Sequence, residues 1–191
     1  NVTINTPSNQ TYNTTVIYFN VTALDETAMD SCLYTLNGGT KNYTMLNAST
    51  SPTMWNATNA TVEQGSINVT YYCNDTNNNL NQSENITFSI DSILPNVTIN
   101  TPLNQTYTTN SIDFNATALD ETGMSDCEYS LTSGLINYTM SNISTNWNAT
   151  LTDLSNGGYN IIFYSNDSSN NLGNSSIIHF TINVAAPDTV P

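Results

Sequence analysis

The stretch Asn1–Cys32, NVTINTPSNQTYNTTVIYFNVTALDETAMDSC, returns with few changes as Asn96–Cys127, NVTINTPLNQTYTTNSIDFNATALDETGMSDC. A chain that spells one long segment twice folds as two copies of one unit. Across 191 residues, the duplication predicts two domains of roughly 95 residues, 1–95 and 96–187, each large enough for its own core. Residues 188–191 close the segment Asn183–Pro191, whose Pro residues and small side chains read as a linker toward a further repeat or a partner subunit. The chain opens without Met at the start of a repeat, as expected of a mature secreted chain or of a piece of a longer one.

Apolar residues recur with period two, the spacing of a strand with one face in a core. The first repeat gives Val2 and Ile4; Ile17, Phe19, Val21 and Ala23; Cys32, Tyr34 and Leu36; Ile67, Val69, Tyr71 and Cys73; and Ile86, Phe88 and Ile90. A strand around Trp55 and a weaker one near Tyr43 bring the total to about seven, the number in an immunoglobulin-type sandwich. The second repeat follows with Ile112, Phe114, Ala116 and Ala118; Cys127, Tyr129 and Leu131; Trp147; Tyr159, Ile161, Phe163 and Ser165; and Ile178, Phe180 and Ile182. Turn formers lie between, at Asn37-Gly38-Gly39, Gln64-Gly65 and Asn74–Asn81. No segment has helical periodicity. The pattern predicts an all-β chain of two tandem Greek-key β-sandwiches, of immunoglobulin or fibronectin type III character. The short, Pro-stiffened junction Ile90–Pro95 predicts that they are arranged end to end.

Fifteen carboxylates face a single basic side chain, for a formal net charge of −14. Such a chain repels phosphate backbones and anionic lipid, so no nucleic-acid partner is expected. The apolar runs are strand-sized, and no membrane insertion is expected either.

Three cysteines remain. Cys32 and Cys127 are equivalent, but the counterpart of Cys73 is Ser165 (YYCND against FYSND). A Cys32–Cys73 disulfide is the natural pairing, and it requires an oxidising compartment. Cys127 is left over, either as a small buried thiol or bonded to a neighbouring chain.

Asn-x-Ser/Thr sequons begin at Asn1, Asn9, Asn13, Asn20, Asn42, Asn47, Asn56, Asn59, Asn68, Asn74, Asn81 and Asn85, and again at Asn96, Asn104, Asn115, Asn137, Asn142, Asn148, Asn166 and Asn174. Composition alone produces some of them in a chain so rich in Asn, Thr and Ser. Their placement is more informative, because in a strand the Asn and Thr of one sequon share a face while the middle residue points the other way. The middle residues Val2, Val21, Ala57, Val69, Ile86, Val97, Ala116 and Ala149 are all apolar. Asn is a poor strand former, so its repeated use on outward faces favours attachment of N-glycans. Those glycans would also shield edges that this Lys-poor chain leaves undefended.

Candidate catalytic groups are few. His179 is the only histidine and alternates with Ile178 and Phe180, which places it on an outer face without a triad. No Cys-x-x-Cys, His-Glu-x-x-His or Gly-rich phosphate loop is present, so no catalytic residue, cofactor or zinc site is expected. The segments Leu24-Asp25-Glu26 and Leu119-Asp120-Glu121, and the pairs Asn74-Asp75 and Asn166-Asp167, carry oxygen ligands without EF-hand spacing. They read as solvated or turn-forming carboxylates, with structural calcium as the alternative. Trp55 and Trp147 read as core residues, with carbohydrate stacking as the alternative.

The motifs NVTINTP-x-NQTY, FN-x-TALDET, the Cys-x-Tyr strand, T-x-WNAT and YSNDSSNNLGNSS together resemble the immunoglobulin-like repeats of archaeal and bacterial secreted surface proteins and extracellular filaments. The resemblance spans nearly the whole chain, twice. It implies an extracellular, rod-forming module with no shared catalytic residues, in a head-to-tail array of neighbouring repeats or identical subunits. Two departures stand out: Cys127 has no partner, and the disulfide joins the third and sixth predicted strands where antibody domains join the second and sixth. The function expected is a non-enzymatic structural module of a heavily N-glycosylated filament or cell-surface stalk. The alternatives are an adhesin or carbohydrate-binding module, and an accessory domain of a secreted hydrolase.

Overall fold

The computed structural model describes residues 1–48, 51–82 and 84–186. The chain divides into two compact units, Asn1–Ser92 and Ile93–Pro191. Residues 188–191, read above as linker, lie outside the described residues. Among the described residues every regular element is a strand, and no helix is long and apolar enough to cross a membrane.

In the first repeat the strands are β1 (Val2–Thr6), β2 (Thr11–Tyr12), β3 (Ile17–Ala23), β4 (Met29–Thr35), β5 (Asn42–Thr44), β6 (Leu46–Ala48), β7 (Ser51–Asn59), β8 (Gly65–Asp75), β9 (Leu80–Asn81) and β10 (Asn85–Ile90). They form two sheets, ordered β1-β3-β7-β6 and β2-β10-β8-β4-β5, with β9 added beside β8. The second repeat uses β11 (Asn96–Thr101), β12 (Thr106–Tyr107), β13 (Ile112–Leu119), β14 (Met124–Ser130), β15 (Tyr138–Thr139), β16 (Ser141–Ile143), β17 (Asn146–Leu151), β18 (Gly157–Asp167), β19 (Leu172–Asn174) and β20 (Ile178–Ile182). Its sheets repeat the order, as β11-β13-β17-β16 and β12-β20-β18-β14-β15. The chain changes sheet from β3 to β4, from β4 to β7 and from β7 to β8, and likewise in the second repeat, which is the Greek-key sandwich that the period-two pattern predicts.

The alternation does what its spacing implies. Ile17, Phe19, Val21 and Ala23 are buried on β3, as are Ile112, Phe114, Ala116 and Ala118 on β13. In the first core Phe19 stacks on Tyr34 at 4.2 Å and Tyr34 on Tyr43 at 4.9 Å. In the second, Phe114 meets Tyr129 edge-on at 4.7 Å and Phe180 at 6.2 Å. Each such ring contributes about 1.5–3 kcal/mol by leaving water, and ring pairs add roughly 0.5–1.5 kcal/mol. Trp55 and Trp147 belong to these cores, at 6 % and 5 % exposure, with no face free for a sugar ring to stack on.

Each four-stranded sheet carries the same irregularity. The β1/β3 register shifts between Ile4 and Thr6, and the β11/β13 register between Ile99 and Thr101, so Asn5 and Asn100 are the extra, bulged residues. Pro7 and Pro102 follow, each after a cis peptide bond. Lacking an N–H, proline cannot extend the ladder. The chain then crosses to the second sheet, where β2 and β12 pair in parallel with β10 and β20.

The hairpin after β4 turns on Gly38 and Gly39, both at positive φ, and its counterpart turns on Ser133 and Gly134. The hydroxyl of the last strand residue organises both turns: Thr35 Oγ1 accepts the Gly39 N–H at 3.0 Å, and Ser130 Oγ accepts that of Gly134 at 2.9 Å.

Candidate glycosylation surface

Strand geometry carries most of the sequons outward. Asn1, Asn9, Asn13, Asn42, Asn47, Asn68, Asn85, Asn96, Asn104, Asn137, Asn142 and Asn174 are exposed, and Asn56, Asn59, Asn74, Asn81, Asn115, Asn148 and Asn166 are half-buried. Asn20 is buried, at 4 % exposure. The middle residues Val2, Val21, Val69, Val97 and Ala116 face the cores and are buried. Sugars on the exposed set would point into solvent on both sheets of both repeats.

Asn20 departs from the pattern because a polar row has formed around it. On the outer face of the first four-stranded sheet, Asn5 Nδ2 donates to Asn20 Oδ1 at 2.5 Å and to Thr22 Oγ1 at 2.9 Å. Asn20 Nδ2 in turn donates to Asn56 Oδ1, which also accepts the Tyr18 hydroxyl. The row runs from β1 through β3 to β7, with Asn20 opposite Asn56 in the strand register. The second repeat builds it again: Asn100 Nδ2 donates to Asn115 Oδ1 at 2.5 Å and to Thr117 Oγ1 at 2.9 Å, and Asn115 Nδ2 donates to Asn148 Oδ1. Sequence reasoning missed this row. The signal was present, since Asn5 and Asn100 sit in Asn-Thr-Pro rather than in sequons yet are kept in both copies.

The carboxylates are largely engaged. Asp75 Oδ1 accepts the Asn77 and Asn79 N–H groups, both at 2.8 Å, while Oδ2 accepts Asn79 Nδ2 at 2.8 Å and the Thr27 hydroxyl at 3.1 Å. These bonds, the Asn79 side-chain amide first, hold its carboxyl below the usual carboxylate range. Asp167 repeats the loop through the N–H groups of Ser169 and Asn171 and the Asn171 side chain. Both loops read as turns closed by an Asp side chain. Asp25 and Asp120 each accept an N–H and a hydroxyl from Thr27 and Thr122. Asp120 Oδ2 is buried without a hydrogen-bond partner.

His179 is exposed, and its Nδ1 pairs with Asn160 Oδ1 across β18 and β20. That contact carries no catalytic arrangement. Cys32 and Cys73 face each other on adjacent strands of one sheet, with Cα atoms 4.1 Å apart, and form the disulfide. Cys127 occupies the same register opposite Ser165. Its thiol is buried and free, and burial pushes its pKa up to about 12. A bond from Cys127 to another chain would require this core to open.

Residues 95–162 match the family model described as a bacterial Ig domain. No curated protein matches the chain by sequence. Among solved structures, it is similar to titin domains A168–A170 (TM-score 0.52, 9 % identity, covering 95 % of this chain and 66 % of that one). It is similar also to extracellular domains 3–5 of Drosophila OTK (TM-score 0.52, 9 % identity, 96 % and 62 %). A structure of fibronectin(III)-like modules of CbhA from Clostridium thermocellum aligns over 96 % of this chain and 94 % of that one, at 16 % identity and TM-score 0.49. At these identities the likeness to the titin and OTK structures concerns fold alone, and it agrees with the sheet orders and registers above: the chain is a tandem of two immunoglobulin-like β-sandwich repeats.

Proposed function

We propose that the chain is a non-enzymatic structural module of a heavily N-glycosylated extracellular filament or cell-surface stalk, in which successive repeats or identical subunits follow one another head to tail. The observation that carries this reading is the outward placement of sequons on both sheets of both repeats, with apolar middle residues held in the core. The Cys32–Cys73 disulfide supports an oxidising, extracellular location. Intact mass of the native protein before and after enzymatic deglycosylation is the test. A large loss of mass is expected, and a native mass equal to the bare 20.8 kDa polypeptide would sink the reading.

The alternative, an adhesin or carbohydrate-binding module, calls for exposed aromatic side chains gathered in one place. Tyr18 and Tyr138 are the strongly exposed aromatic side chains among the described residues, one in each repeat, which favours the structural role. Electron microscopy of native material separates the two: regular filaments support the first, isolated particles bound to a glycan ligand the second. Structural calcium at the acidic segments is the alternative to solvated or turn-forming carboxylates, and a melting temperature unchanged by chelator would remove it.

A further inference from the structure

We propose that the fold divides the sequons into two chemical classes, and that Asn20 and Asn115 stay free of sugar in the mature protein although their sequons are intact. The proposal rests on the glycoprotein reading above and deepens it. N-glycosylation forms a bond from the Asn Nδ2 to C1 of a sugar carried on a lipid pyrophosphate. One Nδ2–H is lost as a proton, and the pyrophosphate leaves with the bonding electrons. The nitrogen must therefore be reachable and must give up a hydrogen.

At Asn20 neither condition is met. The side chain is 4 % exposed, and its Nδ2 is directed at Asn56 Oδ1 and lies 3.5 Å from the Trp55 carbonyl. Its oxygen is held by Asn5, and the hydroxyl of Thr22, the third residue of its sequon, accepts from the same Asn5 amide. Asn115 is half-buried, and there the row alone holds the amide, its oxygen accepting from Asn100 and its nitrogen donating to Asn148. A sugar on either nitrogen would displace the neighbouring strand's amide from the middle of the row. Asn56 and Asn148 differ: they close the rows through their oxygens, so substitution at nitrogen leaves the row intact. The result is a sugar-free row through Asn5 and Asn20 on β1-β3 and through Asn100 and Asn115 on β11-β13, with sugar admitted at its far end, on Asn56 of β7 and Asn148 of β17.

The first residue of each row supports this independently. Asn5 and Asn100 are followed by Thr-Pro, which no sequon permits, so in both copies an outward Asn is retained for its amide alone.

Site-resolved glycopeptide mass spectrometry of the native protein, digested with chymotrypsin, tests the proposal. Peptides carrying Asn20 and Asn115 should be unmodified, while those carrying Asn13, Asn42 and Asn96, which are exposed, bear sugar. Occupancy at Asn20 or Asn115 matching those neighbours would overturn it. If no sequon is modified, the glycoprotein reading fails and a second measurement decides the proposal alone. The unmodified chain, folded or unfolded in urea and returned to buffer immediately before assay, is offered to a purified oligosaccharyltransferase with a lipid-linked sugar donor. Asn20 and Asn115 should accept sugar at least about tenfold more slowly in the folded chain, because reaction there requires local opening of the sheet. Asn42, which is exposed, should change far less. Equal rates at Asn20 in the two states would overturn the proposal.

Discussion

The two repeats place the same pair of positions face to face and fill them differently. Cys32 opposes Cys73 across β4 and β8, and Cys127 opposes Ser165 across β14 and β18 in the same register. The first pair is a covalent cross-link over a separation of 41 residues. In the second, Ser165 Oγ donates to the Asp126 carbonyl at 2.6 Å, and the Cys127 sulfur lies 3.8 Å from that of Met140. The difference teaches that the sheet pairing does not depend on the bond: β14 and β18 keep it with a thiol and a hydroxyl. The disulfide's contribution therefore lies chiefly in restricting the unfolded chain of repeat 1, roughly 3–4 kcal/mol in the chain-entropy account.

The largest expected effect comes from removing that bond. Cys73→Ser should lower the stability of repeat 1 by about 3–4 kcal/mol and leave repeat 2 unmoved. Calorimetry with and without reductant reads both at once, since reductant should shift only the wild-type transition belonging to repeat 1. A shift of both transitions would mean that the two units do not unfold separately. The converse is Ser165→Cys, which should close a second disulfide, abolish the free thiol and raise the stability of repeat 2 by up to about 3 kcal/mol, less the lost Ser165 hydrogen bond. Thiol titration of the unfolded protein checks closure. One reactive thiol or more per chain would show that the matching register is insufficient to bring the sulfurs together.

A smaller effect is expected at the amide rows, where the copies are alike in partners but differ in burial. Asn20 is buried and Asn115 is half-buried. Replacing Asn20 by Ala leaves Asn5 Nδ2 and Asn56 Oδ1 short of a partner in a nearly closed site, at about 1–3 kcal/mol. Asn115→Ala should cost less, roughly 0.5–1.5 kcal/mol, because water reaches the vacated groups. Urea denaturation of the two variants ranks them. An Asn115 variant as destabilised as its counterpart would show that the row's energy comes from the row itself rather than from burial.

These positions also mark where the sequence could be read and where it could not. The inward faces were legible because burial follows period two along β13 and, Asn20 apart, along β3, and the Cys32–Cys73 pair was legible because the duplication aligned each cysteine with its counterpart. The short strands β2, β6 and β9, of two or three residues, were not. A period cannot be established over so few positions, and their pairing is set by the longer strands beside them. The outward Asn residues were legible as outward, but the bonds that some of them make across strands were not. Reading them for sugar alone treated each strand separately, whereas Asn5, Asn20 and Asn56 meet only once β1, β3 and β7 lie side by side. A residue chosen for a cross-strand hydrogen bond looks, within its own strand, like a residue chosen for solvent.

The last contrast concerns acid. Asp75 and Asp167 close equivalent loops with matching backbone donors, and in repeat 1 the Asp75 carboxyl is held below its ordinary value by the Asn79 side chain and the surrounding N–H groups. A carboxyl depressed in the folded state stabilises that state at every pH above its unfolded value, near 3.9. The contribution fades as pH falls through the lower folded value, where the native carboxyl also takes up a proton. Repeat 1 should thus lose stability on acidification below about pH 4, and Asp75→Asn should flatten that part of its profile while lowering stability at neutral pH. Melting temperatures of both transitions from pH 7 down to about pH 2 measure this. Thr27→Val, which removes the hydroxyl donor to Oδ2, should move the profile in the same direction by a smaller amount. An unchanged slope in Asp75→Asn would assign the acid sensitivity of repeat 1 to other carboxylates and reduce the Asp75 loop to a matter of backbone shape.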